Sequence, residues 1–429
     1  MFCNVNRKFY LTITLLIIKL DISKFNYFPE VVMKKITLII LLLCICFGPQ
    51  LLAQSLIFHG QLKNSVYCYK DEEATTRIYQ YLRLNTATAY KKIVFNSMVR
   101  VLSDANVDLA DKQRFQTWQL NLQFQKLFNN HLKMTIGRQF FHPGVMMGAL
   151  DGINAEYSIG KNLFQVYGGA ESTISRSLDL NQAENRQVVG GFYQISNLLS
   201  TKTTAQLLFL HKADTSATLW QIAGLNINNR YFNNTTLNIQ AHYNTANDNI
   251  QRLLIAGQRL WTERLSTSVE LKMQRPQIYA NSFYTIFSAK PYQRVELNGS
   301  YRLWDNVHVN AGMYHIQTDD AAANCVQVAL QNQNGSLGVV YEAGDAGDQV
   351  SLAFDYGLEV IHNLVFSIYT DYSKYRTETI YEFDDQIANA ARLSWRLSRH
   401  FSADVEYQWL TNKYKTSDSR LLNHISCRW

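Results

Sequence analysis

The sequence predicts an all-β chain, specifically a transmembrane antiparallel up-and-down β-barrel. Three observations carry that expectation. Apolar and polar side chains alternate through segments of roughly 10–14 residues, about twice the length of an ordinary globular strand. The composition joins an ordinary 47% hydrophobic fraction to only 17% charged and 13% aromatic residues. A segment with the grammar of a secretory signal stands near the start, from Met33. The same composition excludes a disordered chain, which is poor in aromatics and rich in Pro, whereas this one has 25 Tyr, 22 Phe and 5 Pro. A polytopic helical membrane protein needs apolar runs of ~18 or more residues, and the chain beyond Gln54 has none.

The elements follow from the N-terminus. Residues 1–32 do not fit ahead of a signal peptide and are expected to be an over-extended start, with Met33 as initiator. Residues 33–53 read as the signal peptide: Lys34-Lys35, an apolar centre from Ile36 to Phe47, and Leu51-Leu52-Ala53 before the cut at Gln54. Cys44 and Cys46 lack the small preceding residues of a lipoprotein site. Residues 54–73 are expected to be a short N-terminal segment, too short for a plug, and 74–429 the barrel. Without the leader, 35 basic and 32 acidic residues leave a net charge of +3, which implies no nucleic-acid partner. Cys68, Cys325 and Cys427 are odd in number and widely spaced, which reads as isolated thiols.

Period two marks the strands. Leu265, Val269, Leu271 and Met273 alternate with Ser266, Ser268, Glu270, Lys272 and Gln274. Stretches 118–125, 237–244, 307–314, 391–398 and 401–409 behave alike. Alternation puts one kind of side chain on each face. Short turns are expected at Asn129-Asn130, Gly160-Lys161-Asn162, Asp305-Asn306, His362-Asn363 and Arg399-His400. Longer polar stretches run at 103–112, 172–186, 276–290, 318–324 and 376–385. Tight turns at one end and long loops at the other are the asymmetry of an outer-membrane barrel. Lipid offers no partner to a free strand edge, so such a sheet must close. Tyr67, Tyr69, Trp304, Tyr372 and Tyr375 are candidates for interfacial aromatic girdles. The 375 residues after the leader, at roughly 20–22 per strand and connection, give about 18 strands, with 16–20 as the range. Cys325 to Gly344 is the segment whose Asn334-Gly335 reads equally as a hairpin or a loop.

Gly137-Arg138-Gln139 closes one expected strand and Leu150-Asp151-Gly152 opens the next. This arrangement resembles outer-membrane porin-like and alginate-export-like β-barrels. The resemblance covers about 16 residues and implies a lumen-facing Arg138 and a bacterial outer-membrane location. The chain departs from the alginate-export pattern in lacking a dense arginine lining on every strand. The last strand alternates Ile425, Cys427 and Trp429 with His424, Ser426 and Arg428. A terminal strand ending in an aromatic resembles the signal read by the barrel-assembly machinery.

Nothing in the sequence points to an enzyme. HExxH, GxSxG and Walker motifs are absent, and the ten histidines are scattered. The acidic stretch Ser103 to Asp111 lacks the glycine and glutamate of a calcium loop, so neither a metal nor a cofactor is expected. The expected function is a channel for passive diffusion of small polar or weakly anionic solutes, with outer-membrane lipid as its surroundings. The alternative is a structural, surface-assembly or polysaccharide-export barrel. Strand parity, with the resemblance for Arg138, names the pore-lining candidates: Arg138, Asp151, Glu270, Lys272, Arg294, Arg302, Arg392 and Arg396. An arginine at the lipid-facing midplane would cost ~2–4 kcal/mol, so inward is the default.

Overall fold

The computed structural model describes residues 56–429 apart from 71–75, 91, 107, 110–113, 142–147, 173–185, 199–201, 215–217, 231–233, 276–289, 346, 377–381 and 414–416. The expected leader and its cleavage site lie outside the described residues. Twenty-two strands follow in order. They begin with β1 (Leu56–Lys70), β2 (Thr76–Tyr90), β3 (Ile93–Asp104), β4 (Phe115–Lys126), β5 (Leu132–Phe141), β6 (Gly148–Ile159), β7 (Asn162–Glu171) and β8 (Arg186–Ser196). Next come β9 (Thr203–Asp214), β10 (Thr218–Asn229), β11 (Thr235–Asn244), β12 (Asn249–Leu260), β13 (Leu265–Gln274), β14 (Tyr292–Trp304) and β15 (Val307–Thr318). The last are β16 (Ala322–Asn332), β17 (Gly335–Gly344), β18 (Gly347–Ile361), β19 (Leu364–Arg376), β20 (Asp384–Trp395), β21 (Phe401–Thr411) and β22 (Asp418–Arg428).

Each strand pairs with its successor, and β22 returns antiparallel to β1 from Gln61↔Arg428 to Cys68↔Leu421. The wall is therefore a closed barrel, as lipid demands of a spanning sheet. The count of 22 corrects the expected 18. The reason is economy of connection: β14, β15, β16, β17 and β18 start only 12–15 residues apart, at Tyr292, Val307, Ala322, Gly335 and Gly347. Asn334-Gly335 lies at a hairpin between β16 and β17. The barrel also starts earlier than expected, because β1 occupies most of the stretch 54–73 and belongs to the wall.

Residues directly opposite in an antiparallel pair share a face, so register sorts the two surfaces. The outer rows carry Ile153, Val166, Val189, Leu207, Val269, Val295 and Met313, each 46–62% exposed. Apolar side chains left open on that scale suit lipid and not water. Two-residue connections at Gly160-Lys161, Asp305-Asn306 and His362-Asn363 all lie at one end, and the connections 172–185 and 275–291 lie at the other. Exposed Trp261, Trp304, Trp395 and Phe401 ring the short-turn end, and Tyr243, Tyr341, Tyr372 and Trp409 the long-connection end. Two of the expected girdle residues face inward instead. The Tyr67 hydroxyl lies 2.9 Å from that of Tyr81, and Tyr375 stands opposite Gln349 on the row of Ser351 and Ser373. Cys68, Cys325 and Cys427 are free thiols.

Candidate functional site

The candidate site is the inner face of the barrel, and it differs from side to side. From β13 to β18 the inward rows hold Ser266 and Ser268 opposite Ser300 and Asn298, then Gly312 opposite Gln327 and Ala329 opposite Gly338. These side chains are small or uncharged, and Gln327 is exposed. Within this wall lies a band of charge. Glu270 faces Glu296 and Lys272 faces Arg294. Like charges opposite one another are relieved along β14 itself, where Arg294 Nη2 reaches Glu296 Oε2, two residues on, at 2.5 Å. Aromatic rings hold both cations, with Arg294 at 4.2 Å from the Tyr314 ring centroid and Lys272 at 5.4 Å from that of Tyr292. Tyr314 donates to Glu342 at 2.7 Å.

The other expected residues lie elsewhere. Arg392 is half exposed, opposite Glu406, and its Nη2 meets Asp404 at 2.7 Å, where Ser394 also donates. Arg302 is opposite His308 near the short-turn end of β14. Arg396 falls just beyond β20, in the turn that leads to β21. Its N–H still donates to the Asn363 carbonyl at 2.9 Å, one step beyond the Leu364↔Trp395 pair, so it marks the short-turn rim of the row that holds Arg392.

Arg138 is 3% exposed. Its Nε and Nη2 each donate to Asp151 at 2.6 Å, and its Nη1 donates to the Thr117 carbonyl at 3.0 Å. Two residues on from lipid-facing Ile136, simple alternation would place it outward. Gly137 intervenes at φ +113°, a backbone conformation that favours glycine, while the register on both sides runs on without a shift. Asp151 is its direct cross-strand partner, so Arg138 and Asp151 form a bidentate clamp within the wall.

Two features went unread in the sequence. The first is a guanidinium pair. Arg83 on β2 faces Arg100 on β3, and among the described residues no carboxylate pairs with either. Arg83 Nε donates to Asn85 at 3.1 Å. Arg100 lies 4.8 Å from the Tyr81 ring centroid and 5.7 Å from that of Trp118, and its Nε meets no acceptor. Period two already places Arg83 on the row of Tyr79 and Tyr81, but only the register brings Arg100 opposite it.

The second feature is an apolar inner wall across β6 to β10, in the half of the barrel nearer the long connections. Leu150, Tyr167, Val188, Leu210 and Ile222 form one buried cluster, each at most 4% exposed, with Trp220 packed against it. They alternate with outward-facing Val166, Val189, Leu207 and Phe209, so these strands are apolar on both faces. The signal was the unbroken run Leu207-Leu208-Phe209-Leu210, where alternation stops. Lys212 closes the patch, its Nζ 2.8 Å from Glu171 and 4.5 Å from the Trp220 centroid.

No family model and no curated protein matches the chain. Among solved structures, it is similar to Pseudomonas aeruginosa OpdK with vanillate: 9% identity, 87% of this chain and 98% of that one covered, TM-score 0.46. It is similar to a BenF-like porin from Pseudomonas fluorescens at 8% identity, with 87% and 98% covered and a TM-score of 0.46. It is similar to Pseudomonas aeruginosa OpdQ at 11% identity, with 88% and 99% covered and a TM-score of 0.44. At these identities and TM-scores, strand number, closure and inner face are read from this chain itself.

Proposed function

We propose that the protein is a bacterial outer-membrane channel through which small polar solutes diffuse passively, with a weak preference for anions. One observation supports it most: a closed barrel whose inner face from β13 to β18 is small and polar, and which carries the uncompensated Arg83–Arg100 pair elsewhere on its wall. A wall of this many strands encloses more space than its own side chains fill. Water in such a lumen hydrates the inward amides and hydroxyls, and fixed charge selects among ions by sign. The buried apolar cluster on β6 to β10 offers no hydration, so the solute path follows the polar wall. The pore-lining residues in this reading are Glu270, Lys272, Arg294 and Arg392, with Arg302 and Arg396 at the short-turn mouth and Arg138 and Asp151 bracing the wall. The strand ending at Trp429 is the part the barrel-assembly machinery would read. A polysaccharide-export barrel would ask for a continuous basic lining, which Ser266, Asn298 and Ala329 interrupt.

Reversal potentials across planar bilayers in a salt gradient test the proposal. Discrete conductance steps and a modest anion preference are expected, with the double variant Arg83→Gln/Arg100→Gln moving selectivity toward neutrality. Absence of steps from folded protein would overturn the channel. Unchanged selectivity in the double variant would remove this pair from the account.

A further inference from the structure

The two ends of the barrel differ in charge, and the difference is independent of what passes through the lumen. The connections at the short-turn end carry Lys92, Lys161, Lys202, Arg230, Arg264 and Arg399, all exposed. Only two carboxylates, Glu263 and Asp305, share those turns. None of the six cations makes an ion pair with a described residue. At the opposite end the sequence holds more acids, as at Asp71-Glu72-Glu73 and Asp319-Asp320, and several cations are paired there, Arg77 with Asp104, Arg376 with Asp348 and Lys413 with Asp384, although exposed Lys70 and Arg275 are not among the described ion pairs. A solvated rim of mixed charge would show similar pairing at both ends.

The unpaired rim lies next to the membrane-facing aromatics of the same end. Arg259, on an outward row of β12, holds its guanidinium 4.0 Å from the ring centroid of exposed Trp261. Exposed Trp304 and Trp395 lie at the same end. Tryptophan marks the depth of the headgroups, so the cations of the adjoining turns stand at the height of lipid phosphates. A basic surface at that height gains attraction from each anionic headgroup, screened by salt.

We propose that the short-turn rim docks onto anionic phospholipid headgroups of the leaflet in which it sits. The occupant is lipid, because the charge complementarity extends around the turns and coincides with the tryptophan girdle, whereas a soluble partner would contact the rim from one side. The test uses the full barrel in phosphatidylcholine bilayers doped with spin-labelled phosphatidylglycerol or spin-labelled phosphatidylcholine. The motionally restricted fraction is expected to favour phosphatidylglycerol by about fivefold at low salt and to fall toward parity near ~1 M salt. The variant Lys161→Gln/Lys202→Gln/Arg264→Gln/Arg399→Gln should lose most of that preference. Acetylating lysines of the already folded, reconstituted barrel gives a partial loss without any refolding step, which keeps the test valid should the variant misassemble. Parity between the two lipids for the unmodified protein, the result expected of a rim that serves a soluble polyanion or a second barrel, would overturn the proposal. So would a preference that survives both the variant and acetylation.

Discussion

Arg138 directs its guanidinium at its own wall. With both nitrogens of one edge on Asp151 and a third on the Thr117 carbonyl, it leaves no free donor edge for a solute. Removing it strands a largely buried carboxylate, and breaking such a pair costs about 3–5 kcal/mol. Arg138→Ala is therefore expected to lower the temperature at which the folded gel band is lost on heating, while reversal potential stays as in the parent. A changed selectivity with unchanged thermal resistance would assign Arg138 to the lumen after all. Arg83 and Arg100 contrast with it, because they carry the same charge with no carboxylate partner among the described residues. The motif around Arg138 was visible in the sequence because its glycines are. The Arg83–Arg100 pair was hidden, since two residues 17 apart in sequence meet only through the register of a hairpin.

At the scale of elements, the glycines of that motif have a common physical reason. Gly137 stands opposite Gly152, and Gly152 opposite Gly169. A Cβ on Gly152 would press into the carbonyl oxygen of Gly168 and the Cα of Gly169, which are backbone atoms that cannot swing aside. Gly152→Ala is thus expected to destabilise the β6–β7 pairing by about 1–3 kcal/mol, read as a lower denaturant midpoint, whereas Gly257→Ala, which meets nothing within 4 Å, should be close to neutral. Equal midpoints for the two variants would refute the close-approach account. Strands such as β13 were legible almost to the residue, because the apolar side chains there face lipid and the polar ones face in, except Thr267, which shares the outward row and accepts from exposed Trp261. Strands β8 to β10 were not legible in the same way. With Val188, Leu210 and Ile222 buried on the inside, the period-two signal fades just where the inner face turns apolar.

At the scale of the whole molecule, closure is the property that decides the rest. Folded protein should migrate anomalously on unboiled detergent gels and shift on boiling, with a far-UV spectrum dominated by strand; a helical spectrum would refute the barrel. The closed, membrane-spanning class was readable from alternation, low charge and the asymmetry of turns. The number of strands was not, because it depends on how many connections shrink to two residues, as at Asp305-Asn306 and His362-Asn363.

The seam between β1 and β22 shapes how such a wall can be made. Every other pairing joins neighbours in sequence, but Gln61 donates to Ser426 across 365 positions, and Gly60 and Trp429 exchange both backbone hydrogen bonds. Hairpins can therefore form as local units in any order, while one encounter must wait for the entire chain. Until then the growing sheet carries two open edges, each a template for a wrong partner. Topology thus concentrates the hazard of assembly in a single late event, and a chain interrupted anywhere before its last strand is left with an edge that no neighbour in sequence can cover.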